Sequence, residues 1–205
     1  MSRPVSSTRR RILIDALAGA GAISFLPIAG AATGSRIPAT RAACGDPALP
    51  TGDLHDFDFF VGDWTSVNRR LKQRWVGSKK WDVFPNTVHC ESHMGGVVNT
   101  DEVVFPTKGW SGMTVRTFNL KKRQWSIYWI NSLTGELFPP VVGGFNGKDT
   151  GKFYGDDTDE GRPIKVVFQW TRLGPDAARW QQAFSLDGKA WETNWIVEHT
   201  RVKGS

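Results

Sequence analysis

From position 57 to position 201 the chain consists of short apolar–polar alternations broken by turn residues. Side chains on a strand point to opposite faces in turn, so a period of two marks a strand with one buried face. Such runs span 57–68, 79–83, 88–94, 100–105, 112–119, 124–131, 141–146, 151–155, 164–171, 179–185 and 191–201. Trp125, Ile127 and Trp129 share a face opposite Ser126 and Tyr128, and Val166, Phe168 and Trp170 share another. Trp191, Thr193, Trp195 and Val197 form a third, opposite Glu192, Asn194 and Glu198. Turn chemistry separates the runs at Asn119 to Lys122, Asn146-Gly147-Lys148, Glu160-Gly161-Arg162-Pro163 and Asp187-Gly188. Consecutive strands joined by short turns usually pair with their neighbours. The pattern therefore predicts an all-β fold, an antiparallel up-and-down β-barrel of about ten strands.

The first 53 residues do not share this pattern. Thr8-Arg9-Arg10-Arg11-Ile12-Leu13 matches a twin-arginine export signal, a weakly apolar Ala/Gly-rich stretch follows, and Ala29-Gly30-Ala31 supplies small residues for cleavage. Residues 1–31 read as a signal peptide, 32–53 as a flexible linker rich in Ala, Gly, Pro, Thr and Arg, and 54–205 as the barrel domain. A periplasmic or secreted location is expected. Asp15 and Pro27 interrupt the apolar stretch, so no integral membrane span is expected after cleavage, with an uncleaved N-terminal anchor as the alternative.

Charge and cysteines narrow the partners. Of the formal net charge of +6 over 205 residues, Arg3, Arg9, Arg10 and Arg11 against Asp15 leave +3 in the signal. The remaining +3 is spread over the other 174 residues, with Lys79-Lys80 and Lys121-Lys122-Arg123 as its main clusters, each at an expected turn, so no nucleic-acid partner is expected. All ten tryptophans lie between Trp64 and Trp195. An oxidising compartment would permit a Cys44–Cys90 disulfide tethering linker to barrel.

Three stretches together carry a resemblance. They are Phe57-Asp58-Phe59-Phe60-Val61-Gly62-Asp63-Trp64, then Val141-Val142-Gly143 with Phe153-Tyr154-Gly155-Asp156-Asp157, and the ending from Trp180 through Ala183-Phe184-Ser185 and Asp187-Gly188 to Trp191-Glu192 and Asn194-Trp195. From about Leu54 to Val202 the sequence resembles a bacterial family known as a lipocalin-like domain of unknown function. The resemblance implies a calycin-type barrel and no particular activity. In calycins the tryptophan of a first-strand Gly-x-Trp packs at one barrel end beneath an Arg or Lys of the last strand; the matching positions are Gly62, Trp64 and Arg201.

No motif dictates a reaction. His89 and His93 lie four apart on one strand, ~13 Å, too far to share an ion; either could join Glu91 and a distant ligand such as His199. Asp156, Asp157, Asp159 and Glu160 lack the twelfth-position glutamate of a calcium loop and read as a solvated hairpin turn. Gly143 to Lys148 has the wrong spacing for a phosphate loop, with Asp149 where Ser/Thr is needed, and no catalytic triad or Cys-x-x-Cys is marked. No cofactor and no metal is expected. The aromatic stripes either fill the core or line a cavity, and the candidate ligand-binding residues are Arg116, Trp129, Trp170, Gln182 and Trp195. The leading expectation is a binding protein for a small hydrophobic or amphipathic ligand. The alternatives are an isomerase, cyclase or hydrolase on the same barrel, acting through Glu102, His89 or His199, and haem binding through an inward histidine at a cavity mouth.

Overall fold

A computed structural model describes residues 48–204. The expected signal peptide, most of the linker and Cys44 lie outside the described residues. Ten strands follow one another: β1 (Gly62–Leu71), β2 (Trp81–His93), β3 (Val98–Phe105), β4 (Trp110–Asn119), β5 (Gln124–Asn131), β6 (Val141–Gly144), β7 (Thr150–Asp159), β8 (Arg162–Gly174), β9 (Ala177–Ser185) and β10 (Glu192–Arg201). Each pairs antiparallel with its sequence neighbours, and β1 also pairs with β10, so the sheet closes on itself. Closure leaves no strand with an edge unpaired along its whole length.

Four details differ from the sequence reading. Phe57 to Val61 is not part of the first strand: Asp58–Phe60 forms a single 3-10 turn, which places Phe57, Phe59 and Phe60 across the barrel end. The runs 79–83 and 88–94 belong to one strand, β2, through Pro85. Pairing of β2 with β3 begins only at Thr87, so Pro85 sits where one side of the strand has no partner to miss its N–H. Asp156 to Asp159 extend β7, leaving only Glu160 and Gly161 to turn into β8. Finally, Thr193 pairs with Ala183 but Trp195 with Gln182, so Asn194 is the extra residue of a β-bulge. A bulge shifts the phase of everything beyond it. Asn194 is therefore buried while Trp191 and Thr193 turn outward, away from Trp195 and Val197.

Connections between strands alternate between the two barrel ends. One end is plugged. Residues 51–61 run across it: Gly52 N–H donates to the Arg123 carbonyl, Thr51 accepts from Asn146 N–H, and Arg172 donates to the Asp56 carbonyl at 2.7 Å. Burial holds the Asp56 carboxyl above its ordinary range, offset in part by the Asp53 N–H and the Arg172 charge. Gly144 is needed for this approach, because a Cβ there would collide with the Thr51 carbonyl. Phe57, Phe60, Trp64, Trp125, Phe145, Phe153 and Trp170 make the core beneath the plug, with Phe57 edge-on to Trp125, Phe145 and Trp170.

The expected end-capping pair is present. Gly62 adopts φ of 110°, which a side chain would resist, and swings the chain from plug into β1. Trp64 stands opposite Arg201 in register, and the guanidinium lies 4.2 Å over its ring. Arg201 also donates to the carbonyls of Val61 (2.7 Å) and Phe59 (2.5 Å), so one side chain ties the plug, β1 and β10 together.

Candidate functional site

Below the plug the barrel is hollow. A cavity of about 440 Å³ runs toward the other end, where the connections 72–80, 106–109, 132–140, 160–161 and 186–191 surround its mouth. Its wall is aromatic. Trp129, Phe168, Trp180 and Trp195 line it, with Trp180 edge-on to Trp195 at 5.7 Å and Phe168 edge-on to Trp180 at 4.9 Å. Polar side chains along it hold one another. Asn68 accepts from Trp195 Nε1 at 3.0 Å and donates to Asn86 at 2.7 Å, and Gln182 donates to Asn194 at 2.8 Å.

The floor is charged yet closed from water. Arg116 is 1% exposed and pairs with Asp101, 2% exposed, at 2.5 Å. It also donates to Asn99 at 2.6 Å and lies over the rings of Phe57, Phe60 and Trp170 at 4.8, 5.6 and 5.4 Å. Taking both charges out of water is costly, and the short pair with surrounding ring faces offsets that cost. His199 of β10 stacks on Trp170 at 5.4 Å and shares a 2.8 Å hydrogen bond with Ser66 through Nδ1. Burial, with the Arg116 charge adding to it, holds its imidazole down to about 3, so it is neutral near pH 7. His199 Nε2, Asp101 Oδ1 and Arg116 Nε have no hydrogen-bond partner among the described residues.

At the mouth, the loop 72–80 reaches past β10, β9 and β8 to the end of β7. Arg74 donates from Nε and Nη2 to the two oxygens of Asp159 at 2.9 and 2.5 Å, and Trp75 Nε1 donates to Asp159 at 2.7 Å. Trp75 N–H donates to the Glu192 carboxylate at 2.9 Å, and Arg162 lies 5.4 Å over the indole. Although burial opposes its charge, these donors hold the Asp159 carboxyl below its ordinary range.

All five residues singled out from the sequence, Arg116, Trp129, Trp170, Gln182 and Trp195, face this cavity. Arg116 and Trp170 belong to its floor and the other three to its wall. Sequence reasoning missed Asp101, Asn68, Asn86, Arg70 and Arg74. For Asn68 and Arg70 the signal was the phase of β1: with Trp64 inward, Ser66, Asn68 and Arg70 fall on the inward side too, while Val67 is half exposed outside. Hydrophobicity alone points the other way.

The remaining candidates lie elsewhere. His89 is exposed on the outer face, bonded to Asp63 at 2.6 Å and to Glu91 at 3.4 Å, which together raise its pKa. Glu102, opposite His89 in register, is also exposed outside, and His93 shares a 2.8 Å hydrogen bond with Thr100. Among the described residues no three His, Cys, Asp or Glu side chains converge as metal ligands. The inward histidine, His199, sits at the floor and not at the mouth. Cys90 is buried against Asn99, 3.3 Å from Nδ2, and burial pushes its thiol up to about 11. No helix among the described residues is long and apolar enough to cross a membrane. Comparison with known protein families and with curated proteins finds no match to this chain.

Proposed function

We propose that this chain is an exported, lipocalin-like carrier that encloses a small apolar or amphipathic molecule inside its barrel. The observation that carries the reading is the cavity itself: about 440 Å³, walled by tryptophans, plugged at one end and open at the other. Apolar walls with a few fixed polar groups are the ordinary make-up of a small-molecule pocket, and the volume lies within the range such sites occupy. The export step rests on Thr8 to Leu13 and Ala29 to Ala31, and the family on the motifs ending at Trp195.

The enzyme reading keeps one of its three groups. His89 and Glu102 face outward, away from anything held in the cavity. His199 faces inward, but an imidazole held to about 3 is a weak base and serves better as a neutral hydrogen-bonding group.

Native mass spectrometry of the purified protein and tryptophan-fluorescence titration with a lipid and aromatic library test the carrier reading. A co-purified small molecule, or saturable quenching of the wall tryptophans, is the expected result. A protein that arrives empty and answers to no member of the library overturns it.

A further inference from the structure

Pairing the charges that line the cavity leaves one cation, Arg70, and one anion, Asp157, over. Arg116 is answered by Asp101, Arg74 by Asp159, and Asp156 by Lys165. Arg70 is the next inward position of β1 after Asn68, at the inner rim of the mouth. It stands opposite Trp195 in register and its guanidinium lies 4.7 Å over that ring, but it has neither an ion pair nor a hydrogen bond among the described residues.

We propose that the ligand is an acidic amphiphile whose carboxylate or phosphate ends on Arg70, with its apolar body lying inward between Trp129, Trp180 and Trp195. This rests on the carrier reading above and adds the ligand's charge and its direction. Stacking on Trp195 fixes the plane of the guanidinium, and Asn68 holds the indole in turn, so the N–H edge is presented without further ordering. Burial and the neighbouring Arg74 work against the Arg70 charge while Asp159 and Asp82 favour it, and the residue is exposed at the rim, so its guanidinium is within reach of an incoming anion. The floor offers an acidic head nothing comparable, because Asp101 already neutralises Arg116. Head at the rim and tail inward is the orientation these charges favour. Asp157, the remaining lining anion, lies across the mouth on β7, and its carboxylate accepts the Thr158 N–H at 2.7 Å.

A charge series on one tail tests this: dodecanoate, dodecyl phosphate, dodecanol and dodecylamine, titrated against the full-length chain by calorimetry at neutral pH. Both acids are expected to bind about tenfold tighter than the alcohol, the amine weakest, since one charge-assisted hydrogen bond is worth at least that much. The ratio of the two acids distinguishes a carboxylate ligand from a phosphate. In Arg70→Gln the acid-to-alcohol ratio should fall to about one, and Arg70→Lys should keep part of it. Equal binding of acid and alcohol by the wild type, tightest binding of the amine, or an unchanged ratio in R70Q overturns the inference while leaving the carrier reading standing. Failure of all four to bind overturns both.

Discussion

Arg116 and Asp101 place a full positive and a full negative charge where the surrounding core is phenyl and indole. Neither partner can be removed alone without stranding the other. Asp101→Asn keeps the shape but leaves the guanidinium uncompensated, and is expected to cost about 3–5 kcal/mol in urea unfolding, against a small change when both are replaced by apolar residues of similar volume. A loss below about 1 kcal/mol for the single variant would show that the pair is not closed from water. His199 gives a separate, pH-dependent signature. Its folded pKa, about 3, lies below the ordinary histidine value, so between about pH 6.5 and 3 the unfolded chain binds a proton that the folded chain does not. Its contribution is present above that window and is lost as pH falls through it. His89, raised by Asp63 and Glu91, acts in the opposite sense, so the comparison must be between variants. The Tm of wild type should fall relative to His199→Gln as pH drops from 6.5 toward 3, and parallel curves would contradict the assignment.

Among the elements, the loop 72–80 is the one with a contest built into it. Trp75 adopts φ of 68°, a conformation that bulky side chains resist, and is held there by Glu192, Asp159 and Arg162. Asp159 is the shared anchor, bonded to both Arg74 and Trp75. Replacing Asp159 with Asn should release the loop, and trypsin should then cut at Lys72, Arg74, Lys79 or Lys80 about tenfold faster, as expected from weakening the three hydrogen bonds its carboxylate accepts. An unchanged cleavage rate would mean that the Glu192 contact suffices. Elements also show what could be read in advance. Trp125-Ile127 and Val166-Trp170 alternate in the sequence because they alternate between wall and solvent, and the Gly62-Trp64 signature carried its partner Arg201 with it. Phe57 to Phe60 misled because two aromatics flanking Asp58 fit a strand, whereas here one 3-10 turn directs them all against the core. Asn194 misled because a bulge is a local count of residues, invisible to periodicity. Polar inward residues such as Asn68 and Asp101 escaped because hydrophobicity identifies a buried face only where burial is apolar.

At the scale of the whole molecule, two ends with opposite jobs explain most of the layout. The plug end holds the densest aromatic packing and the Arg201–Trp64 closure; the mouth end holds Arg70, the loop 72–80 and the acidic tip of β7. Stability and any ligand exchange are thereby assigned to different parts of one cylinder, so changes at the rim need not disturb the core. The pairing of β1 with β10 has a consequence in time as well as in space. Trp64 meets Arg201 across nearly the full length of the barrel sequence, so the cylinder cannot be sealed until its last strand has been synthesised. Until then β1 and β9 are both raw edges, each ready to recruit a strand from another chain. The last ten residues of the barrel thus decide whether the growing chain closes on its own first strand or becomes a template for its neighbours.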